Sequence, residues 1–210
     1  IMALHFTAQE FESRENKVIK SMKEKSLDAL LLFRQESMYW LTGYDTFGYV
    51  FFQCLVLTSA GDKILLTRAP DLRQAQNTSN IMDVRIWVDR DNNNPADGLK
   101  SILAELSLEN KNLGVEYETY GLTGKNAMRL NHSLKNFAKL YDESFLITKH
   151  RLVKSDQEIK YVKKAAELAD KALEKAWESS RPGADESDIL SVMQGAIFSG
   201  GGDYPGNEFI

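Results

Sequence analysis

The 210-residue sequence is 43% apolar and 27% charged, with a formal net charge of −4. This is ordinary globular composition, long enough for a full core and one or two domains, and it excludes a basic nucleic-acid surface or a charged tail. No apolar run approaches the ~20 residues that cross a bilayer, and the opening IMALHFTAQE has neither a basic region nor a signal-peptide core, so a cytoplasmic location and no membrane partner are expected.

In chain order, Thr7-Ala-Gln-Glu10 reads as a capping box, and Phe11, Val18, Ile19 and Met22 follow at helical spacing, predicting a helix over 8–25. The apolar run from Asp28 to Phe33 reads as a buried strand. A brief helix around Ser37 to Leu41 should stop at Gly43. Val50 to Thr58 and Lys63 to Thr67, joined by Ser59-Ala-Gly-Asp62, read as a hairpin. Val84 to Val88 is a strand with one solvated face. A helix over 96–108 follows, then a strand from Leu113 to Tyr117, a helix over 122–137 and a short strand at Lys139 to Tyr141. Strands alternating with helices imply an α/β layered, partly parallel domain, placed at 4–147.

Near residue 150 the pattern changes. Ser155-Asp-Gln-Glu158 is a second capping box, followed by Ile159, Val162, Ala166, Ala169, Leu173 and Ala176 at steps of three and four. Glu167 and Lys171 have the favourable i,i+4 order. Ser180-Arg-Pro-Gly183 stops this helix, and a second runs over about 185–198 into the loop Gly200-Gly-Gly-Asp-Tyr-Pro-Gly206. Residues 151–210 therefore read as the opening of a second domain. Ile1 precedes Met2, and Ile210 closes the sequence in mid-pattern after Asn207-Glu208, so a fragment of a longer chain is expected.

Few residues invite chemistry. His5, His132 and His150 fall in different predicted elements, and HExxH, CxxC and EF-hand spacings are missing, so no metal site is expected. The single cysteine, Cys54, lies in an apolar run and reads as a buried structural thiol. There is no GxSxG, and Asn207-Glu208 stand where a phosphate loop needs Lys and Ser or Thr, so no catalytic residue is assigned. The glycine loop reads as a tight connection, with a ligand role for Asp203, Tyr204 and Pro205 as the alternative. Asp91 with Asn92 to Asn94 reads as a loop capping a helix rather than a calcium site. Seven of the sixteen residues from Met38 to Gln53 are aromatic. They read as core plus a domain or subunit contact, or as a wall against a small ligand.

Two stretches resemble a known family. Arg151-Leu-Val-Lys-Ser-Asp-Gln-Glu-Ile159, leading into a helix with Ala165, Ala166, Ala169 and Ala172, is similar to the segment that opens the catalytic domain of the creatinase, prolidase and aminopeptidase P family. Pro182-Gly183-Ala-Asp-Glu186 follows with one residue more before the glutamate than the family pattern. Upstream, Met38-Tyr-Trp-Leu-Thr-Gly-Tyr44 is similar to the family's Leu-Thr-Gly segment.

The resemblance implies an amino-terminal ribonuclease-H-like α/β domain, a mixed sheet with helices on both faces, and then the first helices of an α+β pita-bread domain. It implies two divalent ions (Mn, Co or Zn) in the full-length protein, held by two Asp, one His and two Glu that all follow the region corresponding to Ile210. It also implies a homodimer in which this domain reaches over the partner's active site, with Tyr44, Asp45, Tyr49, Phe51 and Phe52 matching the substrate-proximal region. Creatinase has a basic residue there that binds its substrate's carboxylate. Only Gln53 is found nearby here, which argues against creatine.

The expected function is the amino-terminal portion of a metal-dependent Xaa-Pro dipeptidase or aminopeptidase P-like hydrolase acting on small peptides. The alternatives are a family member acting on a small zwitterion (ectoine hydrolase, creatinase or sulfoniopropionate lyase) and an inactive binding module of the same fold.

Overall fold

A computed structural model describes residues 4–203, in two compact units that meet between Val153 and Lys154. The first unit opens with α1, Ala8–Glu24, whose N-terminus is capped by Thr7 accepting the Glu10 N–H. Phe11, Arg14, Val18 and Met22 form its buried stripe. Strand β1, Ala29–Leu32, is buried at every position. Helix α2, Gln35–Thr42, ends on Gly43 at φ +82°, the left-handed cap that a side chain disfavours; a Cβ there would stand 2.8 Å from the Thr78 carbonyl.

Strands β2, Cys54–Thr58, and β3, Lys63–Arg68, form the predicted hairpin. Helix α3, Leu72–Thr78, β4, Asp83–Trp87, and α4, Pro95–Glu105, follow. The unit closes with β5, Asn112–Val115, α5, Gly124–Leu134, β6, Lys139–Asp142, and α6, Leu146–Arg151. Three features depart from the sequence expectation. The strand expected from Val50 begins only at Cys54, because Gly48–Val50 is a 3₁₀ turn. Helices α3 and α6 carry no sequence pattern that predicts them.

The six strands lie in the order β4-β3-β2-β1-β5-β6. β2 is antiparallel to both neighbours, and the other pairs are parallel. This mixed sheet carries helices on both faces, as the resemblance implied. Side chains alternate between faces with period two. Leu31 and Phe33 join Cys54, Val56, Leu66, Leu113 and Val115 against α4 and α5. Leu30 and Leu32 join Leu55, Leu57 and Leu65 against α1, α2, α3 and α6.

In the second unit, α7, Asp156–Ser179, has a complete capping box: Ser155 Oγ accepts the Glu158 N–H, and Glu158 Oε2 accepts the Ser155 N–H at 2.7 Å. Glu167 pairs backward with Lys164 at 3.3 Å instead of forward with Lys171, an exposed pair worth little. Helix α8, Glu186–Ser199, packs on α7, and Gly200 permits the approach, since a Cβ there would overlap Leu168. Gly201 sits at φ +83°. Apolar side chains of both helices stay open to solvent, including Val162, Leu173 and Trp177 of α7 and Leu190 and Phe198 of α8. Among the described residues, no helix is long and apolar enough to cross a membrane.

Because Gly43 combines a left-handed φ with a close carbonyl, Gly43→Ala should destabilise the chain by more than ~1 kcal/mol. Urea unfolding would show a lower midpoint. An unchanged midpoint would mean that this cap does not fix the exit from α2.

Candidate functional site

β1 and β5 are parallel, with Leu31 beside Val115, so their carboxyl ends share one edge of the sheet. The end of β3 at Arg68 and the start of β2 at Cys54 lie on the same edge. Strand ends of this kind are where α/β sheets usually meet ligands. Here the edge is crowned by residues 43–52.

Two polar networks hold that segment. Tyr44 is fully buried; its hydroxyl donates to Gln53 Oε1 at 3.0 Å, and Thr67 Oγ1 donates to the same oxygen at 3.3 Å. Burial pushes the Tyr44 phenol above its ordinary value. Gln35 Nε2 donates to the Tyr44 carbonyl at 2.9 Å, and Thr42 Oγ1 accepts the Tyr44 N–H at 3.1 Å. In the second network, Thr46 Oγ1 accepts the Gly48 N–H and donates to Asp71 Oδ1 at 3.4 Å. Asp71 Oδ2 accepts from Arg68 Nε at 3.3 Å. A side chain on Gly48 would overlap the Asp71 carboxylate, so glycine allows this close turn. The Arg68 guanidinium lies 3.3 Å from the centre of the Phe51 ring.

The five residues proposed from sequence therefore occupy different environments. Tyr44 and Phe52 are interior; Phe52 packs edge-on against Phe33, and its carbonyl accepts from Trp87 Nε1 at 2.8 Å. Asp45 is exposed, with its N–H donated to Thr78 Oγ1. Tyr49 is half-buried and Phe51 is 41% exposed. Phe47, one of the seven aromatics of this segment, is 71% exposed, and with Val50, at 59% and expected in a strand, it completes an apolar outer surface. Asp203 is exposed, and Tyr204 and Pro205 lie outside the described residues.

Gln53, the polar residue noted from sequence, is committed inward, and its Nε2 has no partner among the described residues. The basic group at this surface is Arg68. It comes from β3, distant in sequence, and the signal for it was a cation ending an apolar strand three residues before an acid.

Behind the edge, Glu116 is 1% exposed just past β5. Its Oε2 accepts the N–H groups of Phe33 at 3.0 Å and Arg34 at 2.9 Å, and its Oε1 accepts from the Ser37 hydroxyl. It thus anchors the start of α2.

The histidines remain apart. His5 reaches the Tyr39 hydroxyl, and His150 reaches Ser21 Oγ and stacks on Trp40, with burial lowering its pKa. Among the described residues, no three His, Cys, Asp or Glu side chains could together hold a metal ion. The two-metal centre implied by the resemblance draws its ligands from beyond the region corresponding to Ile210.

Residues 14–153 match the Creatinase/Prolidase N-terminal domain, and the chain belongs to that family. It is 28% identical over 229 residues to the ectoine hydrolase of Halomonas elongata, an alignment covering 97% of this chain and 55% of that protein. It is 26% identical over 196 residues to the Xaa-Pro dipeptidase of Pyrococcus horikoshii, covering 92% and 50%. The prolidase structure from Thermococcus sibiricus superposes with a TM-score of 0.74 at 21% identity, covering 91% of this chain and 50% of that one, which establishes the fold. The chain spans about half the length of the curated relatives it matches.

Tyr44→Phe removes one buried hydrogen bond and should cost about 1 kcal/mol in urea unfolding. A loss indistinguishable from zero would mean that the Gln53 amide does not hold this segment.

Proposed function

We propose that the full-length protein is a cytoplasmic, metal-dependent hydrolase of the Xaa-Pro dipeptidase or aminopeptidase P type. In this reading the divalent ions (Mn, Co or Zn) are held by residues outside this chain. The protein acts as a homodimer, and the edge formed by Phe47, Val50, Phe51 and Arg68 of one protomer borders the substrate path of the other. The observation that carries the proposal is this exposed apolar edge with a stacked guanidinium, on a chain of the Creatinase/Prolidase N-terminal family. Arg68 is held by Asp71 and Phe51, so little side-chain freedom is lost when it meets a carboxylate. A dipeptide ending in proline offers such a carboxylate.

A second reading, a small-zwitterion hydrolase, is favoured by the same pair. Arg68 suits the anionic end of a zwitterion, and the aromatic rings beside it suit a delocalised cation. The 28% identity to an ectoine hydrolase supports keeping it. With Arg68 in place, the absence of a neighbouring cation no longer argues against creatine.

The test is turnover of Ala-Pro, ectoine and creatine by the full-length protein supplied with Mn²⁺. Hydrolysis of Ala-Pro is expected. Arg68→Met should raise KM about tenfold or more for whichever substrate is used, with a smaller effect on kcat. Failure to hydrolyse any Xaa-Pro peptide would sink the first reading, and an unchanged KM in Arg68→Met would separate this edge from the substrate path.

A further inference from the structure

Glu116 is a buried carboxylate without an ion pair among the described residues. The Arg34 guanidinium attracts it from the β1–α2 junction, but its N–H groups are directed to Thr148 Oγ1 and the Glu118 carbonyl. From β2 the ionisable group that faces it is the Cys54 thiol, which burial holds neutral. From α2 it meets the Ser37 hydroxyl, at 2.5 Å.

We propose that Glu116 is a protonation-controlled latch on the start of α2, closed when its carboxyl is neutral and slackened when it is ionised. A buried charge with no ion pair is costly, and three donors with the pull of the Arg34 guanidinium offset only part of that cost. Burial accordingly outweighs the hydrogen bonds and raises the pKa from 4.5 to about 7.

The neutral acid fits the same geometry. Oε2 keeps the two backbone N–H groups, while a proton on Oε1 points to Ser37 Oγ, whose hydroxyl turns from donor to acceptor. The ionised acid gains full hydration only if the stretch from Phe33 to Ser37 lifts and admits water. Lifting would also release Gln35, whose amide holds the Tyr44 carbonyl, so the effect reaches the exposed segment beyond Gly43.

The sign follows from linkage. The closed form has the higher pKa, so protons favour it. That advantage is complete below about 4.5, the solvated value, and is lost as pH rises through about 7. Between pH 6 and 8 the opening equilibrium should rise about tenfold.

Hydrogen–deuterium exchange of the full-length protein, with labelling times scaled for the pH dependence of chemical exchange, tests it on peptides covering 33–44. Wild-type protection there should fall about tenfold from pH 6 to pH 8. Glu116→Gln, isosteric with the neutral acid, should be equally protected at both. That comparison also removes any contribution from His150, which stacks on Trp40 of α2. Ser37→Ala loses a charge-assisted bond to the ionised form and only a weaker one to the neutral acid, so it should move the transition to higher pH. Protection independent of pH in the wild type, or an unaltered pH response in Glu116→Gln, overturns the proposal. Should Glu116→Gln not fold, an unshifted transition in Ser37→Ala overturns it instead.

Discussion

The first unit depends on β1 being buried on both faces. Ala29 to Leu32 expose nothing, so the strand is stable only when one set of helices covers Leu31 and a different set covers Leu30 and Leu32. Each fully buried leucine contributes about 1.5–3 kcal/mol. The exposed ion pairs of the chain, such as Lys164–Glu167, contribute at most about 1 kcal/mol each, so the layering is set by burial. The same strand accepts an antiparallel partner on one side and a parallel one on the other, which brings the ends of β1 and β5 together at one edge.

That edge combines fixed and open parts. Tyr44 and Phe52 fasten the 43–52 segment from inside, one through a hydroxyl and the other through ring packing and a carbonyl. Phe47, Val50 and Phe51 face outward, and the Arg68 guanidinium lies over the Phe51 ring while Asp71 steadies it. The surface is therefore held in shape before anything binds, the condition under which a recognition surface loses least entropy on use.

Much of this was legible in the sequence where local rules decide. The continuous apolar run of β1 signalled burial on two faces, Gly43 marked the end of α2, and Ser155 with Glu158 marked the start of α7. Helix α3 was not visible because its sequence, LRQAQNT, carries a single buried residue, Ala75, and no periodic stripe. Six-residue α6 is too short to show a period. Val50 reads as strand from its branched side chain, but the turn at Gly48, closed against Asp71, bends the chain first. The site was harder still. An irregular segment has no alternation rule to separate inward Tyr44 from outward Phe51, and Arg68 reaches the site through strand pairing rather than sequence proximity.

Cys54 has a use that its burial creates. It is the only thiol in the sequence, it sits in β2 between β1 and β3 with no exposed surface, and burial holds it in the unreactive neutral form. A thiol reagent can reach it only when the core around the start of β2 opens, so the rate of its alkylation would serve as an internal clock for that rare event.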